Sequence, residues 1–400
     1  MKPPFLKALP ILNKLEAAGY EAYFVGGAVR DFLLARPVDD VDIATSATPE
    51  EVKEVFPKTV DVGIAHGTVV VLYQGESYEV TTFRSESEYA DFRRPNEVTF
   101  IRSLTEDLRR RDFTMNAIAM NKNGELIDPF AGQAAIKAKM IKTVGNAGER
   151  FHEDALRMMR AIRFVSQLSF SLEKETYNAL KEHSKWLGMI AVERKTVEFE
   201  KLLNGENYQH AIKLLIDTGL YRLLPGFEDK QEELAAFSQF DLSGHFAISE
   251  YWVLLLYHFH LPRNNVEAFL RAWKLPVKQI RRVKLGLSLL IQRLDHEWKL
   301  EELYHAGKES VIRTEKLLNI LQGRNIDTNI DELEEVWQRL PLKERKELVI
   351  TGQHLLEWYQ LQGGPWIEEK LLAIEKAIIN GELENEQVSI KEWLFACSQP

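Results

Sequence analysis

Two acidic residues separated by one residue, Asp40 and Asp42, are the first feature of this sequence whose type and spacing could do chemistry. Ile43 and Ala44 follow and predict a strand, on which side chains at i and i+2 share one face. Two carboxylates so placed repel each other unless a cation lies between them, and carboxylate oxygens favour Mg²⁺ or Mn²⁺. The pair predicts a divalent-metal site with Mg²⁺ as the cofactor. The alternative is a charged turn after Pro37.

Two adjacent glycines, Gly26 and Gly27, end a strand-like segment and precede a helix-like segment that contains Arg30. Glycine lets the backbone come close to a ligand, and the N–H groups at the start of a helix suit phosphate. The turn therefore predicts a triphosphate site. It matches neither a P-loop nor a dinucleotide-binding fingerprint, and the sequence contains neither motif.

A third carboxylate, Glu79, lies in a strand-like segment from Ser77 to Phe83. On a strand next to the aspartates it would complete an acidic cluster. In a two-metal site, with ions about 3.5–4 Å apart, one ion activates an attacking hydroxyl and the other stabilises the triphosphate and its leaving pyrophosphate. The alternative is a strand glutamate that faces solvent.

The order of these motifs resembles the nucleotidyltransferase head of the class II tRNA CCA-adding enzymes and bacterial poly(A) polymerases. The resemblance rests on Gly26-Gly27-x-Val29-Arg30-Asp31 and Asp40-x-Asp42, then Arg110-Arg111-Asp112-Phe113-Thr114-Met115-Asn116-Ala117 and Glu153-Asp154-Ala155-Leu156-Arg157. It implies an α+β fold: an N-terminal polymerase-beta-like head with a small mixed sheet, followed by an all-helical body.

The block from Glu153 to Arg157 predicts a base-selecting surface. On a helix Asp154 and Arg157 would share a face, and Glu153 would orient Arg157 as an i, i+4 pair. Cytosine and adenine each present an amino donor beside a ring-nitrogen acceptor, which one Asp and one Arg satisfy together. Uracil and guanine reverse that pattern, and buried unpaired polar groups can discriminate by about 10⁴–10⁵-fold. The alternative is a surface helix held by weak salt bridges.

The resemblance also implies roles for the block around Arg111, which is expected to contact phosphate. Asp112 and Asn116 are expected to contact the ribose or the primer end, and at i and i+4 of a helix they would share a face. A competing interpretation makes Asp112 a helix N-cap. Arg30 and Arg160 are assigned to the same nucleotide-binding set.

The segment from Glu88 to Asn96 resembles the flexible loop that full CCA-adding members carry and that CC-adding members lack. It favours the complete activity, although a plain loop needs no role. Arginines and lysines also cluster elsewhere, and each cluster is either a phosphate contact or a solvated helix face: Arg157 with Arg160 and Arg163, and Lys274, Lys278, Arg281, Arg282 and Lys284.

The secondary structure predicted to position these residues changes once along the chain, from mainly strands to helices. Strands are predicted at Ala22 to Val25, Val41 to Ala44, Thr68 to Leu72, Ser77 to Phe83 and Ala117 to Met120. Helices are predicted at Glu153 to Phe164, Lys174 to Glu182, Val192 to Leu203 and Tyr208 to Asp217, with further helices to the C-terminus. We expect a catalytic head at 1–150, a nucleotide-selecting neck at 151–205, and a helical body and tail at 206–400.

Composition and charge limit which classes of protein and which cellular locations fit this sequence. A net charge of −9 argues against bulk electrostatic binding of nucleic acid, so RNA contacts must be local. The single cysteine, Cys397, cannot form a disulfide within the chain, which favours the reducing cytoplasm. The longest apolar stretch, Tyr251 to Leu261, is about half of the roughly 20 residues that span a bilayer, so no membrane is expected.

The predicted function is template-independent addition of C, C and A to the 3′ end of tRNA from CTP and ATP. The helical body is expected to bind the acceptor and T arms of tRNA, and a homodimer is one option for the oligomeric state. The alternatives are poly(A) polymerase and CC-adding-only tRNA nucleotidyltransferase. From another class, a non-catalytic RNA-binding module would have kept only the fold.

Overall fold

The computed structural model describes residues 3–63, 67–86 and 98–396. The predicted loop from Glu88 to Asn96 and Cys397 therefore lie outside the described residues. The chain divides into two compact units, one comprising Met1–Gln239 with Ala268–Leu275 and the other Phe240–Glu267 with Pro276–Pro400. The proposed boundaries near residues 150 and 205 follow sequence motifs and stay a prediction.

The first unit contains a seven-stranded mixed sheet in the order β3-β4-β5-β2-β1-β8-β9. Its neighbours pair antiparallel except β2 and β5, which are parallel. Two small two-stranded sheets, β6-β7 and β10-β11, accompany it. The strands are β1 Ala22–Val25, β2 Asp42–Thr45, β3 Thr59–Gly63, β4 Thr68–Tyr73, β5 Glu76–Thr82, β6 Arg84–Glu86, β7 Val98–Phe100, β8 Ala119–Met120, β9 Leu126–Ile127, β10 Met140–Ile141 and β11 Ser171–Leu172.

Helices cover the rest of the first unit. They are α1 Phe5–Ala17, α2 Gly27–Leu33, α3 Pro49–Val55, α4 Leu104–Arg109, α5 Gly132–Lys137, α6 Ala147–Glu153, α7 Leu156–Leu168, α8 Lys174–His183, α9 Val192–Leu203, α10 Tyr208–Thr218 and α11 Gln231–Phe237. Most of α7 is buried because it packs against both α9 and α10. This packing holds the arginines of α7 at one side of the site described below.

One predicted element is wrong at its start. The expected helix from Glu153 to Phe164 is two helices, because α6 ends at Glu153 and α7 begins at Leu156. Asp154 between them has an extended backbone (φ −140°, ψ 102°), and its Oδ1 accepts a hydrogen bond from the Leu156 N–H at 3.1 Å. A short acidic side chain that bonds to nearby backbone N–H groups competes with helix continuation, which explains the break.

A second correction concerns Ala117 to Met120. Only Ala119–Met120 forms the strand β8, and a 3₁₀ helix at Thr114–Asn116 precedes it. Asp112 and Asn116 therefore do not share a face of an α-helix. The N-cap of the 3₁₀ helix is Phe113, so the alternative that Asp112 fills this position is wrong as well.

The second unit is helical in its described residues. Its helices are α12 Ile248–Phe259, α13 Arg263–Ala272 (which runs on into the first unit), α14 Val277–Asp295, α15 Leu300–Ala306, α16 Lys308–Leu321, α17 Ile330–Arg339, α18 Gly352–Tyr359, α19 Trp366–Ile379 and α20 Gln387–Ala396. The apolar stretch from Tyr251 to Leu261 lies largely in α12, most of whose residues are buried. Within the three described ranges, no helix has the length and apolar character that a bilayer crossing requires.

Candidate active site

The acidic residues meet where β1, β2 and β5 run side by side. Val25 pairs with Asp42 across β1 and β2, and Ile43 pairs with Val80 across β2 and β5. Asp42 and Glu79 each come one residue before the paired residues Ile43 and Val80. Because β2 and β5 are parallel, these two acids lie next to each other on neighbouring strands. Asp40 precedes the strand, so the argument that Asp40 and Asp42 share a strand face does not hold in detail.

The electrostatics of Asp42 reflect this crowding. The surrounding protein raises the pKa of the Asp42 carboxyl because it removes part of the hydration of this group. The residue as a whole is nevertheless exposed to solvent. The charges of Glu79 and Asp40 raise the pKa further, while Arg111 lowers it. Excess negative charge of this kind is what a bound divalent cation neutralises, so the donor set suits a hard metal ion.

The acids do not form a closed ligand set. In the part of the chain that the structure describes, no group of three or more His, Cys, Asp or Glu side chains is arranged to hold a metal ion. Glu79 and Asp40 are both exposed. A role for Glu79 beside the two aspartates therefore stays a prediction.

The side chains of Arg111 and Asp42 both lie close to the glycine turn. Gly26 has φ 70° and ψ −135°, a conformation that L side chains rarely adopt. A Cβ added at Gly26 would lie 3.0 Å from Arg111 Nη1 and 3.6 Å from Asp42 Oδ2. The absence of a side chain at Gly26 therefore gives the Arg111 guanidinium the room it occupies beside the turn.

Arg30 and two of the three arginines of α7 surround one aromatic ring. The guanidinium carbons of Arg30, Arg160 and Arg163 lie 5.0, 5.5 and 4.2 Å from the centroid of the Phe164 ring. Arg30 Nη1 also donates to Asn116 Oδ1 at 2.7 Å. These contacts fix the guanidiniums in place, because a ring face attracts cations and restricts their movement.

Asp112 is the anionic partner of this group. Its Oδ1 accepts from the Phe113 N–H at 2.8 Å and from Asn116 Nδ2 at 2.9 Å, and its Oδ2 accepts from Arg160 Nε at 2.7 Å. Burial alone would raise the pKa of Asp112, but the charge of Arg160 and the hydrogen bonds outweigh it and hold the pKa well below its usual range. Asp112 is therefore a permanent carboxylate at neutral pH.

Asp154 and Arg157 are held by different partners. Arg194 donates to Asp154 through Nη1 at 3.2 Å and Nη2 at 2.7 Å. Arg157 Nη1 donates to Glu153 Oε2 at 2.5 Å, so the predicted pairing of these two residues is present although the helix is broken between them. Arg157 Nη2 also donates to the carbonyl of Arg110 at 2.9 Å. Each side chain is oriented before any ligand binds.

These groups line one cavity of about 470 Å³, within the range of roughly 300–1,000 Å³ typical of small-molecule sites. Seven arginines and three aspartates contribute to it, which suits a polyanionic ligand. The lining comprises Gly26, Gly27, Arg30, Asp42, Arg110, Arg111, Asp112, Asn116, Asp154, Leu156, Arg157, Arg160, Arg163, Phe164 and Arg194.

Most of the residues predicted from the sequence therefore come together, with three exceptions. Asp40, Glu79 and Glu153 do not line the cavity. Sequence reasoning missed Phe164 and Arg194 as site residues. Arg163 was named only in a cluster with Arg157 and Arg160 that could be a phosphate contact or a solvated helix face. Nothing local marks Arg194, which is 40 positions from its partner Asp154.

Three family models match the chain in succession. The model described as "Poly A polymerase head domain" matches residues 22–142. Residues 169–231 match "Probable RNA and SrmB- binding site of polymerase A", and residues 247–394 match a model of tRNA nucleotidyltransferase domain 2. Together they account for both the sheet-containing head and the helical remainder.

Full-length relatives agree with these models. The chain is 50% identical over 397 residues to the CCA-adding enzyme of Geobacillus sp. (strain WCH70), covering 99% of this chain and 98% of that one. It is 46% identical over 400 residues to the CCA-adding enzyme of Bacillus licheniformis, covering 100% of both. The crystal structure of the Bacillus stearothermophilus CCA-adding enzyme in complex with CTP superposes with a TM-score of 0.91 at 46% identity, covering 99% of this chain and 98% of that chain. By full-length identity, fold and motif order, this chain belongs to the CCA-adding enzyme family of nucleotidyltransferases.

Proposed function

We propose that this chain adds C, C and A to the 3′ end of tRNA from CTP and ATP without a nucleic-acid template. The observation that carries the proposal is the cavity of about 470 Å³ in the first unit. It combines the glycine turn and Asp42 with a set of arginines suited to phosphate and with Asp154 and Arg157, whose donor and acceptor atoms suit a base. Similarity to CCA-adding enzymes along the whole chain supports the same activity.

Asp40 and Asp42 would hold the divalent metal that the family implies, and we propose that this metal is Mg²⁺. When bound, such ions lower the pKa of the attacking 3′-hydroxyl and neutralise charge on the triphosphate. We assign the contact with phosphate oxygens to Arg111, which lies next to the glycine turn. We assign the contact with the ribose or the primer end to Asp112 and Asn116, which are joined by a hydrogen bond.

The base is selected by Asp154 and Arg157. The Asp154 carboxylate accepts a hydrogen bond from the amino group of cytosine or adenine, and the Arg157 guanidinium donates a hydrogen bond to the adjacent ring nitrogen. Arg194 and Glu153 hold these two side chains in place, so the wrong base meets fixed rather than adaptable partners. Discrimination then follows from the cost of leaving buried polar groups unpaired.

The decisive test is incubation of the purified protein with Mg²⁺, tRNA lacking its last three nucleotides, and each NTP separately and in pairs. We expect two additions with CTP alone, three with CTP and ATP, and none with UTP or GTP. Long products from ATP alone would instead identify a poly(A) polymerase. A stop after two additions with CTP and ATP together would identify a CC-adding enzyme.

Two sets of variants separate the proposed roles. Asp40→Ala should abolish nucleotide addition but leave tRNA binding intact, whereas Asp39→Ala, a neighbouring exposed acid, should remain active. Full activity of Asp40→Ala would contradict the metal assignment. Asp154→Ala or Arg157→Ala should relax the choice of base, and unchanged discrimination against UTP would contradict the selecting role.

Two further parts of the proposal concern the protein in the cell. We place it in the cytoplasm, where its substrate tRNA and both nucleotides occur, and cell fractionation tests this location. A homodimer is the proposed alternative to a monomer, and light scattering on the purified protein distinguishes them.

A further inference from the structure

A second cavity, of about 210 Å³, lies within the second unit between α12, α14 and α16. Val253, Leu285 and Leu317 form an apolar part of its wall. The helices are close together here, since a Cβ added at Gly286 of α14 would lie 2.9 Å from Val253 Cγ2 of α12. The cavity is therefore part of the packing of this unit and not a gap between loops.

A buried carboxylate in this cavity has one unsatisfied oxygen. Glu250 is 5% exposed, and its Oε1 accepts from Arg313 Nη1 at 3.0 Å and lies 3.5 Å from Arg282 Nη2. Its Oε2 is buried, and no described residue donates a hydrogen bond to it. A buried acceptor without a donor costs free energy, so a ligand hydroxyl that reaches this atom when the neighbouring side chains move would remove that cost.

The same two arginines are shared with an exposed acid. Glu309 contacts Arg313, and its Oε1 lies 3.8 Å from Arg282 Nη2. The Glu309 side chain is 75% exposed, and ion pairs of this kind contribute only about 0–1 kcal/mol. A phosphate group can replace the Glu309 carboxylate easily, because the planar guanidinium fork matches phosphate geometry.

We propose that this cavity binds one ribose-phosphate unit of RNA. The phosphate binds Arg282 and Arg313 in place of Glu309, and the ribose 2′-hydroxyl donates to Glu250 Oε2. The volume is below the roughly 300–1,000 Å³ of sites for whole small molecules, which fits part of a polymer better than a free nucleotide. Lys278 and Arg281, exposed on the same helix as Arg282, extend the cationic surface for neighbouring phosphates.

The inference rests on the proposed function only in taking RNA as the substrate, and tRNA binding is measured without nucleotides to keep the two apart. Arg282→Gln alone should weaken tRNA binding about tenfold but change the slope of log K against log salt little, because Arg313 still neutralises the same phosphate. The double variant with Arg313→Gln should lower the slope by about 0.7–0.9, the value for one phosphate. A drop of about twice that value in the double variant would overturn this arrangement.

Glu309 gives a prediction of opposite sign. Glu309→Gln should tighten tRNA binding, because it removes the competitor for the two arginines. The matched control is Glu335→Gln, which removes the same charge from another exposed i, i+4 ion pair in the second unit, with Arg339. Equal effects of the two variants would mean that only net charge matters and would refute the site.

The hydroxyl contact is tested with a minihelix of the acceptor and T arms carrying single 2′-deoxy substitutions. One position should weaken binding to the wild-type protein about tenfold but leave binding to Glu250→Gln unchanged, with thermal denaturation confirming that the variant is folded. If no such position exists while the protein still adds CCA, the ribose contact is wrong and the proposed function stands. If CCA addition itself fails, the proposed function is wrong independently of this site.

Discussion

Replacing Gly26 with alanine tests how the glycine turn assembles the site. At φ 70° a side chain strains the backbone by about 1–3 kcal/mol. The new Cβ would also lie 3.0 Å from Arg111 Nη1, which is closer than an ordinary contact, so the guanidinium must shift by a few tenths of an ångström. Small displacements of positioning groups can cost up to about 100-fold in rate. We therefore expect a modest loss of stability and a 10- to 100-fold loss of kcat/KM.

Gly75→Ala is the matched control. Gly75 has φ 85°, so an alanine there is strained, but its Cβ would meet no atom within 4 Å and Gly75 does not line the cavity. Both variants should lower the free energy of unfolding by about 1–3 kcal/mol in urea titrations. Only Gly26→Ala should slow CTP incorporation into tRNA lacking CCA. Equal activities of the two variants would refute the link between Gly26 and Arg111.

Three shorter predictions follow from the same geometry. Arg194→Ala should lower discrimination of CTP over UTP about 3- to 30-fold, because Asp154 loses a partly exposed partner that donates two hydrogen bonds to it. Unchanged discrimination in single-turnover assays would contradict this prediction. Because the folded pKa of Asp112 lies below its unfolded value, its ionisation stabilises the fold above about pH 4, and this contribution is lost as pH falls through the folded value. The difference in unfolding free energy between wild type and Asp112→Asn should therefore shrink on acidification from about pH 6 to pH 3, and a constant difference would count against the ion pair with Arg160. Chelation should abolish nucleotide addition and Mg²⁺ should restore it, with the melting midpoint nearly unchanged; a large drop in that midpoint would instead indicate a structural metal.

The sequence alone predicted much of the fold because local patterns dominate there. The strand Ala22–Val25 and the helix Val192–Leu203 have the bounds expected from their apolar periodicity. The motifs around Gly26, Asp112 and Asp154 could also be assigned to one site, because the family resemblance depends on residue types and their order. Residue types and their order can be read from the sequence without a structure.

Only the tertiary structure decided which distant partners the charged groups of the site take. The break between α6 and α7 separates Asp154 from the helix of Arg157, and Asp154 then pairs with Arg194 from α9. Phe164 becomes a site residue because the packing of the first unit brings Arg30 onto the ring of an α7 side chain. Ion pairs and ring contacts of this kind join residues tens of positions apart, and their energies depend on distance and burial, which local sequence patterns do not encode.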